Sequence, residues 1–416
     1  MEYGCIGEKL GHSFSKIIHN KLYDYSYELK EIPKDGLDVF LKQKDFKAIN
    51  VTIPYKQNVI PYLSEISDIA KKIGAVNTIV NKNGKLYGYN TDFSGMTALI
   101  KYNGITLKDK KVLILGSGGT SKTAFAVAES MGAKEIYRVS RKGGDGLLNY
   151  KEAQEKHNDA EIIINTTPCG MFPNIGESAI SIENFSNLEG VIDAVYNPLN
   201  SKLIVDAKNR GIKAAGGLYM LIAQAVFAAE KFIDTKIDKE KIDTIYNEIL
   251  KNKENIVLIG MPSCGKTTVG KEISKILNKE FIDTDVLIEE KYGKISDIFE
   301  EKGEAFFREL ESDVIKEVSA KQSAIIATGG GAVLNSENIN ILKGNGKIVF
   351  IDRPLDKLIT TSDRPLSSNR ELLEKRYNER YDKYCKSADY IVKSEGSIGE
   401  CISKILEVTD YENTGN

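Results

Sequence analysis

The chain has 416 residues, too many for one hydrophobic core, which points to two or three domains. Its composition is that of a globular protein, 41% hydrophobic and 28% charged, and a formal net charge of −2 with no long basic run gives no support for nucleic-acid binding. No apolar stretch approaches the roughly 18 residues of a membrane span and the first residues lack the regions of a signal peptide, so no membrane role and a cytoplasmic location are expected. The five cysteines (Cys5, Cys169, Cys264, Cys385, Cys401) are scattered and read as free thiols. The three histidines (His12, His19, His157) have no metal-ligand spacing.

Elements in chain order follow from pattern. Residues 47–55 predict a strand ending at Pro54, and residues 75–92 a hairpin turning at Lys82-Asn83-Gly84. A buried strand over 110–116 leads to a helix closed by Gly132. Further strands are expected at 134–141, 161–168 and 190–196, and the short glycine-bearing stretch before Glu161 predicts a truncated crossover helix. This β-loop-α rhythm argues for a parallel sheet with helices on both faces. An apolar helix follows Gly217, and an amphipathic one covers 237–251. A second α/β unit begins after a very short linker, with strands in residues 255–260, 324–330 and 347–353 and a frayed end over 411–416. No internal repeat is present.

Two different glycine loops sit in this order. The first, Gly116-Ser-Gly118-Gly119-Thr120, follows a strand and opens a helix, the arrangement in which backbone N–H groups approach a dinucleotide pyrophosphate. Ser121 takes the third glycine position of the general pattern. An NAD site wants an acidic residue about 20 residues on. Here the next strand ends Val139-Ser140-Arg141-Lys142, with no carboxylate, and Arg141 with Ser140 suits a 2′-phosphate, so NADP(H) is favoured.

Eight segments in order, among them GHSFS, NVTIPYK, GAVNT, GYNTDFSG, INTTPCGMFP and GGLYMLIAQA, resemble shikimate dehydrogenase over about the first 250 residues. The resemblance implies a substrate domain (1–97 and 215–251) around an NADP-binding Rossmann domain (98–214). It implies 3-dehydroshikimate as substrate. Ser13 and Ser15 would take the ring carboxylate, and Thr52, Asn77 and Gln224 the ring hydroxyls. Lys56 and Asp92 would hold and pass the proton, because hydride reduction leaves negative charge on oxygen. Gly217 would border the cofactor, and Tyr196 and Met220 would pack against the nicotinamide and close the cleft. Lys16 departs from the family, which usually has proline there.

The second loop, Gly260-Met-Pro-Ser263-Cys264-Gly265-Lys266-Thr267-Thr268, fits the nucleoside-triphosphate pattern. Its N–H groups would cradle the phosphates of ATP, Lys266 would reach the β- and γ-phosphates, and the Thr267 hydroxyl would bind Mg²⁺. Cys264 reads as a small space-filling residue, or else as a thiol whose modification blocks ATP. With FIDTD, FFRELE, ATGGGAV, DRPL and RYDKYCKSAD, residues 253–408 resemble shikimate kinase. The implied domain is 252–416, a P-loop α/β fold with a parallel sheet. Asp283 matches the position that supports Mg²⁺, and Asp285 the carboxylate that takes the attacking hydroxyl's proton. Arg308 and Arg380 match the clamp on the substrate carboxylate, Gly329, Gly330 and Gly331 the backbone approach to the ring, and Arg364 the lid arginine. Lys357 is a candidate second cation of the lid.

The expected protein is thus a bifunctional α/β enzyme whose first product, shikimate, is its second substrate. An NAD-preferring quinate/shikimate dehydrogenase in the first half is the alternative, and a scaffold with an inactive half is disfavoured by intact Lys56, Asp92, Lys266 and Asp285. Oligomeric state is not legible.

Overall fold

The computed structural model describes residues 1–10, 14–359 and 370–411. The chain forms two compact units, Met1–Glu248 and Ile249–Asn416.

The first lobe of the first unit contains β1 (Tyr3–Gly7), α1 (Phe14–Leu22), β2 (Tyr27–Glu31), α2 (Leu37–Gln43), β3 (Ala48–Val51), β4 (Glu65–Ile66), α3 (Asp68–Ile73), β5 (Thr78–Lys82), β6 (Lys85–Tyr89) and α4 (Thr91–Tyr102). The sheet order is β2-β1-β3-β5-β6-β4. It is mixed, not parallel: β5 runs antiparallel to both β3 and β6. The cause is the expected hairpin, whose turn residues Asn83 and Gly84 take φ of 53° and 81°, the geometry of a tight two-residue reversal. The strand expected over 47–55 stops at Val51. Tyr55 N–H bonds back to Thr52 O at 2.9 Å, and Pro54 has no N–H to extend a ladder.

The second lobe contains β7 (Lys111–Leu115), α5 (Gly119–Ser130), β8 (Glu135–Val139), α6 (Tyr150–Lys156), β9 (Ile162–Asn165), β10 (Gly190–Asp193), α7 (Lys202–Asn209) and β11 (Lys213–Ala215). All its strands are parallel, in the order β11-β10-β9-β7-β8. Ile162, Ile163 and Ile164 are buried in sequence because helices cover both faces. The crossover helix α6 is indeed short, seven residues, after a turn in which Gly143, Gly144 and Gly146 all have positive φ. Next, α8 (Leu218–Ile233) returns to the first lobe and packs on α4. Gly95 permits that approach, since a Cβ there would lie 2.7 Å from Met220 O and 2.9 Å from Gln224 Cβ. Then α9 (Glu240–Lys253) leads out of the first unit and ends within the second.

The second unit contains β12 (Asn255–Ile259), α10 (Lys266–Leu277), β13 (Glu280–Asp283), α11 (Thr284–Tyr292), α12 (Ile295–Ser319), β14 (Ala324–Ala327), α13 (Ser336–Lys343), β15 (Gly346–Asp352), α14 (Arg370–Ser387), β16 (Tyr390–Lys393) and α15 (Ile398–Val408). Its sheet is wholly parallel, in the order β13-β14-β12-β15-β16. The two strands not anticipated, β13 and β16, are its edges, where polar residues interrupt the apolar run. Within α12 the helix breaks at Gly303, with φ 81° and ψ 173°.

The frayed end expected from residue 411 is corrected at Tyr411, which is only 4% exposed. Its hydroxyl donates to Lys251 O at 2.5 Å and accepts from Lys279 Nζ at 2.7 Å. Lys279 also donates to Lys251 O (2.8 Å) and Glu254 O (2.7 Å), closing off the end of α9. Residues 412–416 lie outside the described residues. No described helix is long and apolar enough to cross a membrane.

Candidate active sites

In the first unit, Lys56 lies in the turn after β3 and Asp92 sits in the first turn of α4. Lys56 Nζ donates to Asp92 Oδ2 at 2.6 Å, and the two side chains are 22% and 14% exposed. Each is fixed by its surroundings. Lys56 O accepts from Val76 N at 2.8 Å. Asn90 caps α4, its side chain accepting from Phe93 N at 3.1 Å, so Asp92 stands where the helix dipole favours a carboxylate. Asn77 is buried and committed to the same corner: its Oδ1 accepts from Thr91 N (2.7 Å) and its Nδ2 donates to Thr91 Oγ1 (3.1 Å). Thr52 and Gln224 are half-buried, Gln224 Nε2 donating to Leu221 O at 2.9 Å, and Ser15 is half-buried in the first turn of α1. Ser13 lies outside the described residues.

The glycine loop connects β7 to α5. Gly116 has φ 119°, and a Cβ on it would lie 2.5 Å from Thr166 Oγ1. A Cβ on Gly118 or Gly119 would meet nothing within 4 Å, so these two present bare backbone to open space at the start of α5, followed by Thr120. Ser121, the apparent departure, is fully buried and its hydroxyl donates to Gly116 O at 2.7 Å, tying the loop to its own helix. Ser140 Oγ accepts from Gly143 N at 3.1 Å, and Arg141 is exposed at the carboxyl end of β8. Gly217 precedes α8, where a Cβ would run into Ala194 O, a packing demand that accounts for the glycine by itself. Tyr196 packs edge-on against Phe14, and Met220 is buried.

Sequence reasoning missed a buried carboxylate at the end of β10. Asp193 accepts from Asn165 Nδ2 (2.9 Å), Val195 N (2.9 Å) and Ser201 Oγ (2.5 Å), joining the ends of β9 and β10 to the cap of α7. Burial pushes its carboxyl up to about 6.

In the second unit a cleft of about 830 Å³ opens above the carboxyl ends of the strands. From the phosphate loop and its helix come Ser263, Gly265, Lys266, Thr267 and Thr268. Opposite them stand Asp283, Asp285, Arg308, Arg380 and the three glycines 329–331. The loop has the required backbone: Gly260, Ser263 and Gly265 take φ of 147°, 62° and 101°. Lys266 Nζ donates to Gly260 O (2.9 Å) and Met261 O (3.0 Å). Thr267 Oγ1 donates to Asp283 Oδ2 at 2.7 Å, while Asp283 Oδ1 caps α11 through Asp285 N at 3.1 Å. Cys264 departs from the rest. It is 1% exposed and belongs to the hydrophobic core, its N–H closes a turn onto Met261 O, and its sulfur accepts from Lys266 Nζ at 3.8 Å.

The glycines bring backbone against charge. A Cβ on Gly329 would lie 2.5 Å from Asp285 Oδ1 and 2.8 Å from Glu311 Oε1, one on Gly330 2.9 Å from Pro262 Cδ, and one on Gly331 would run into the Arg308 guanidinium. Arg308 donates to Glu311 Oε2 and Glu304 Oε1, both at 2.8 Å. Arg380 Nη1 and Tyr384 OH both donate to Gly330 O, at 3.0 and 2.5 Å. Burial raises the Glu311 carboxyl against the pull of Arg308. Glu304, Glu311, Tyr384 and Arg376 went unread. Their signal was present as helical spacing: Glu311 lies three residues after Arg308, and Arg376 four before Arg380. Lys357 donates to Glu395 O at 2.5 Å and does not line the cleft. Arg364 lies outside the described residues.

With these arrangements in view, comparison with known proteins separates the two units. The shikimate dehydrogenase (NADP(+)) of Clostridium beijerinckii is 39% identical over 260 residues, covering 59% of this chain and 96% of that protein. The chain belongs to the shikimate dehydrogenase family. The family model of the shikimate dehydrogenase substrate binding domain matches residues 5–79, and that of shikimate kinase matches residues 262–410. The chain is therefore a fusion of a shikimate dehydrogenase and a shikimate kinase, as its motifs implied. Solved structures agree for the dehydrogenase part. Shikimate dehydrogenase 1 from Peptoclostridium difficile superposes with TM-score 0.56 at 39% identity, over 60% of this chain and 98% of that one. A chorismate mutase/shikimate 5-dehydrogenase fusion from Clostridium acetobutylicum gives TM-score 0.57 at 35% identity, over 59% of this chain and 96% of that one. The Thermus thermophilus enzyme, solved with NADP(H) and shikimate, gives 0.55 at 27%, over 60% and 99%.

Proposed function

We propose that the first unit reduces 3-dehydroshikimate to shikimate with NADPH and that the second phosphorylates the 3-hydroxyl of shikimate with ATP. The observation that carries this reading is the coexistence of a Lys56–Asp92 pair in one unit with a phosphate loop facing Asp285, Arg308 and Arg380 in the other.

NADPH, when bound, would supply the hydride that the ring carbonyl carbon accepts. Lys56 delivers a proton to the carbonyl oxygen as negative charge develops there, and Asp92 holds the ammonium in place. Ser13, Ser15, Thr52, Asn77 and Gln224 orient the ring, and Tyr196 and Met220 bound the nicotinamide side. The open faces of Gly118 and Gly119, beside Gly116 and Thr120, suit a pyrophosphate, and exposed Arg141 with Ser140 suits a 2′-phosphate.

In the second unit Asp285 accepts the proton of the attacking hydroxyl, while Arg308 and Arg380 hold the ring carboxylate and Gly329, Gly330 and Gly331 let the ring approach backbone. The loop N–H groups and Lys266 carry the phosphates, and Arg364 supplies the lid cation. The Thr267 hydroxyl and Asp283 carboxylate, already 2.7 Å apart, fit Mg²⁺, which usually takes one or two protein oxygens plus phosphate and water and would neutralise phosphate charge. The test is a coupled assay. Dehydroshikimate, NADPH, ATP and Mg²⁺ with purified protein should yield shikimate 3-phosphate; NADPH oxidation without phosphorylated product would refute the second activity.

A further inference from the structure

The kinase cleft contains a cation that the assigned machinery does not use. Arg376 lines it with Arg308 and Arg380. It lies one helical turn before Arg380 on α14, so both side chains leave the same face of the helix.

The three arginines differ in how far they are already satisfied. Arg308 is held by two carboxylates, Glu304 and the buried Glu311. Arg380 has Gly330 O as its acceptor. Arg376 is half-buried, and among the described residues it forms neither a hydrogen bond nor an ion pair; its Nε, like those of Arg308 and Arg380, is shielded from solvent and unpartnered. Burial and the neighbouring charge of Arg380 pull its guanidinium below the usual range, only partly offset by Glu304 and Glu379. An arginine facing a second arginine in a half-buried cleft is unfavourable by itself. A carboxylate between them removes that penalty and offers Arg376 the bidentate acceptor it lacks.

We propose that Arg376 is a third carboxylate-binding residue of the kinase cleft, pairing with Arg380 across the ring carboxylate of the substrate. This rests on the kinase reading above. In this arrangement Arg308, anchored by Glu304 and Glu311, fixes the wall of the cleft, and the Arg376–Arg380 face supplies positive charge that the nearby carboxylates only partly offset.

The experiment compares wild type, Arg376→Leu and Arg376→Lys in the full chain with shikimate and with its methyl ester, which keeps the ring and hydroxyls but lacks the charge. Arg376→Leu is expected to raise the shikimate KM about 10-fold, the scale of one charge-assisted hydrogen bond. The KM for ATP and the kcat/KM for the ester should stay within about twofold of wild type, and Arg376→Lys should fall between the two. Equal losses on acid and ester, or no change on the acid, would overturn the proposal. If Arg376→Leu fails to fold, the acid-to-ester ratio of Arg376→Lys decides, and a ratio equal to wild type is the refuting result. Failure of the wild type to phosphorylate shikimate would instead remove the kinase reading itself.

Discussion

Lys56 Nζ lies 2.6 Å from Asp92 Oδ2 across 36 residues of sequence, the lysine in a turn after β3 and the aspartate in the first turn of α4. Losing the amine should remove proton donation without disturbing the second unit. Lys56→Ala should lower dehydrogenase kcat by about 100-fold or more and leave kinase turnover near wild type. Lys266→Ala should do the reverse. Steady-state assays of both reactions on each variant check this, and loss of both activities in a folded variant would refute two independent sites.

Arg141 is exposed just beyond the carboxyl end of β8, in a strand end, Val139-Ser140-Arg141-Lys142, that itself carries no carboxylate. Arg141→Ala should raise the KM for NADPH about 10-fold and leave the KM for NADH nearly unchanged. A parallel rise for both cofactors would mean that Arg141 does not read the 2′-phosphate.

His19 is fully buried, stacked on Tyr27 at 4.0 Å between ring centres, and burial pushes its imidazole down to about 3. The unfolded chain binds a proton near pH 6.5 that the folded chain refuses until about pH 3. Its contribution is therefore complete above pH 6.5 and is lost as pH falls from there toward 3. Between these limits stability should decline by up to about 1.4 kcal/mol per pH unit from this group alone. His19→Phe keeps the ring stack and should flatten that decline, measured as denaturant midpoints of dehydrogenase activity between pH 4 and 7. An unchanged slope would exclude His19 as the source.

The first-unit fold shows what was and was not legible in the sequence. The hairpin was readable because Asn83-Gly84 carries its own backbone preference, but the mixed pairing of its sheet was not, since β3 looks the same with a parallel or an antiparallel neighbour. In the second unit the central strands announced themselves as apolar runs while the edges β13 and β16 did not. Among site residues, those carried by motifs came together in the kinase cleft. A residue whose role is to hold another, such as Glu311 behind Arg308, has no signature beyond spacing and became visible only through its contacts.

Cys264 sits in the phosphate loop, buried in the core of the second unit. Native protein treated with a small alkylating reagent should be modified first at Cys169 and Cys385, the two cysteines that are not fully buried, with kinase activity retained. Stoichiometric labelling of Cys264 in folded protein, found by peptide mass mapping, would contradict this.

Lys279 and Tyr411 together bind the last carbonyls of α9. Tyr411→Phe should destabilise the second unit by about 1–2 kcal/mol, because it leaves Lys251 O and the Lys279 ammonium each short of a partner. Thermal unfolding followed by kinase activity measures it, and an unchanged midpoint would show that the contact contributes nothing.

The same contact bears on whether the two activities can be separated. The final turn of α9 reads in sequence as a tail of the first enzyme, yet its carbonyls are acceptors within the second, and residue 411 completes them from the far end of the kinase fold. A gene split at residue 252 would strip Lys251 from the kinase while leaving its partners in place. Dissecting this polypeptide into two stand-alone enzymes therefore calls for a cut before the last turn of α9, with that turn kept on the kinase side.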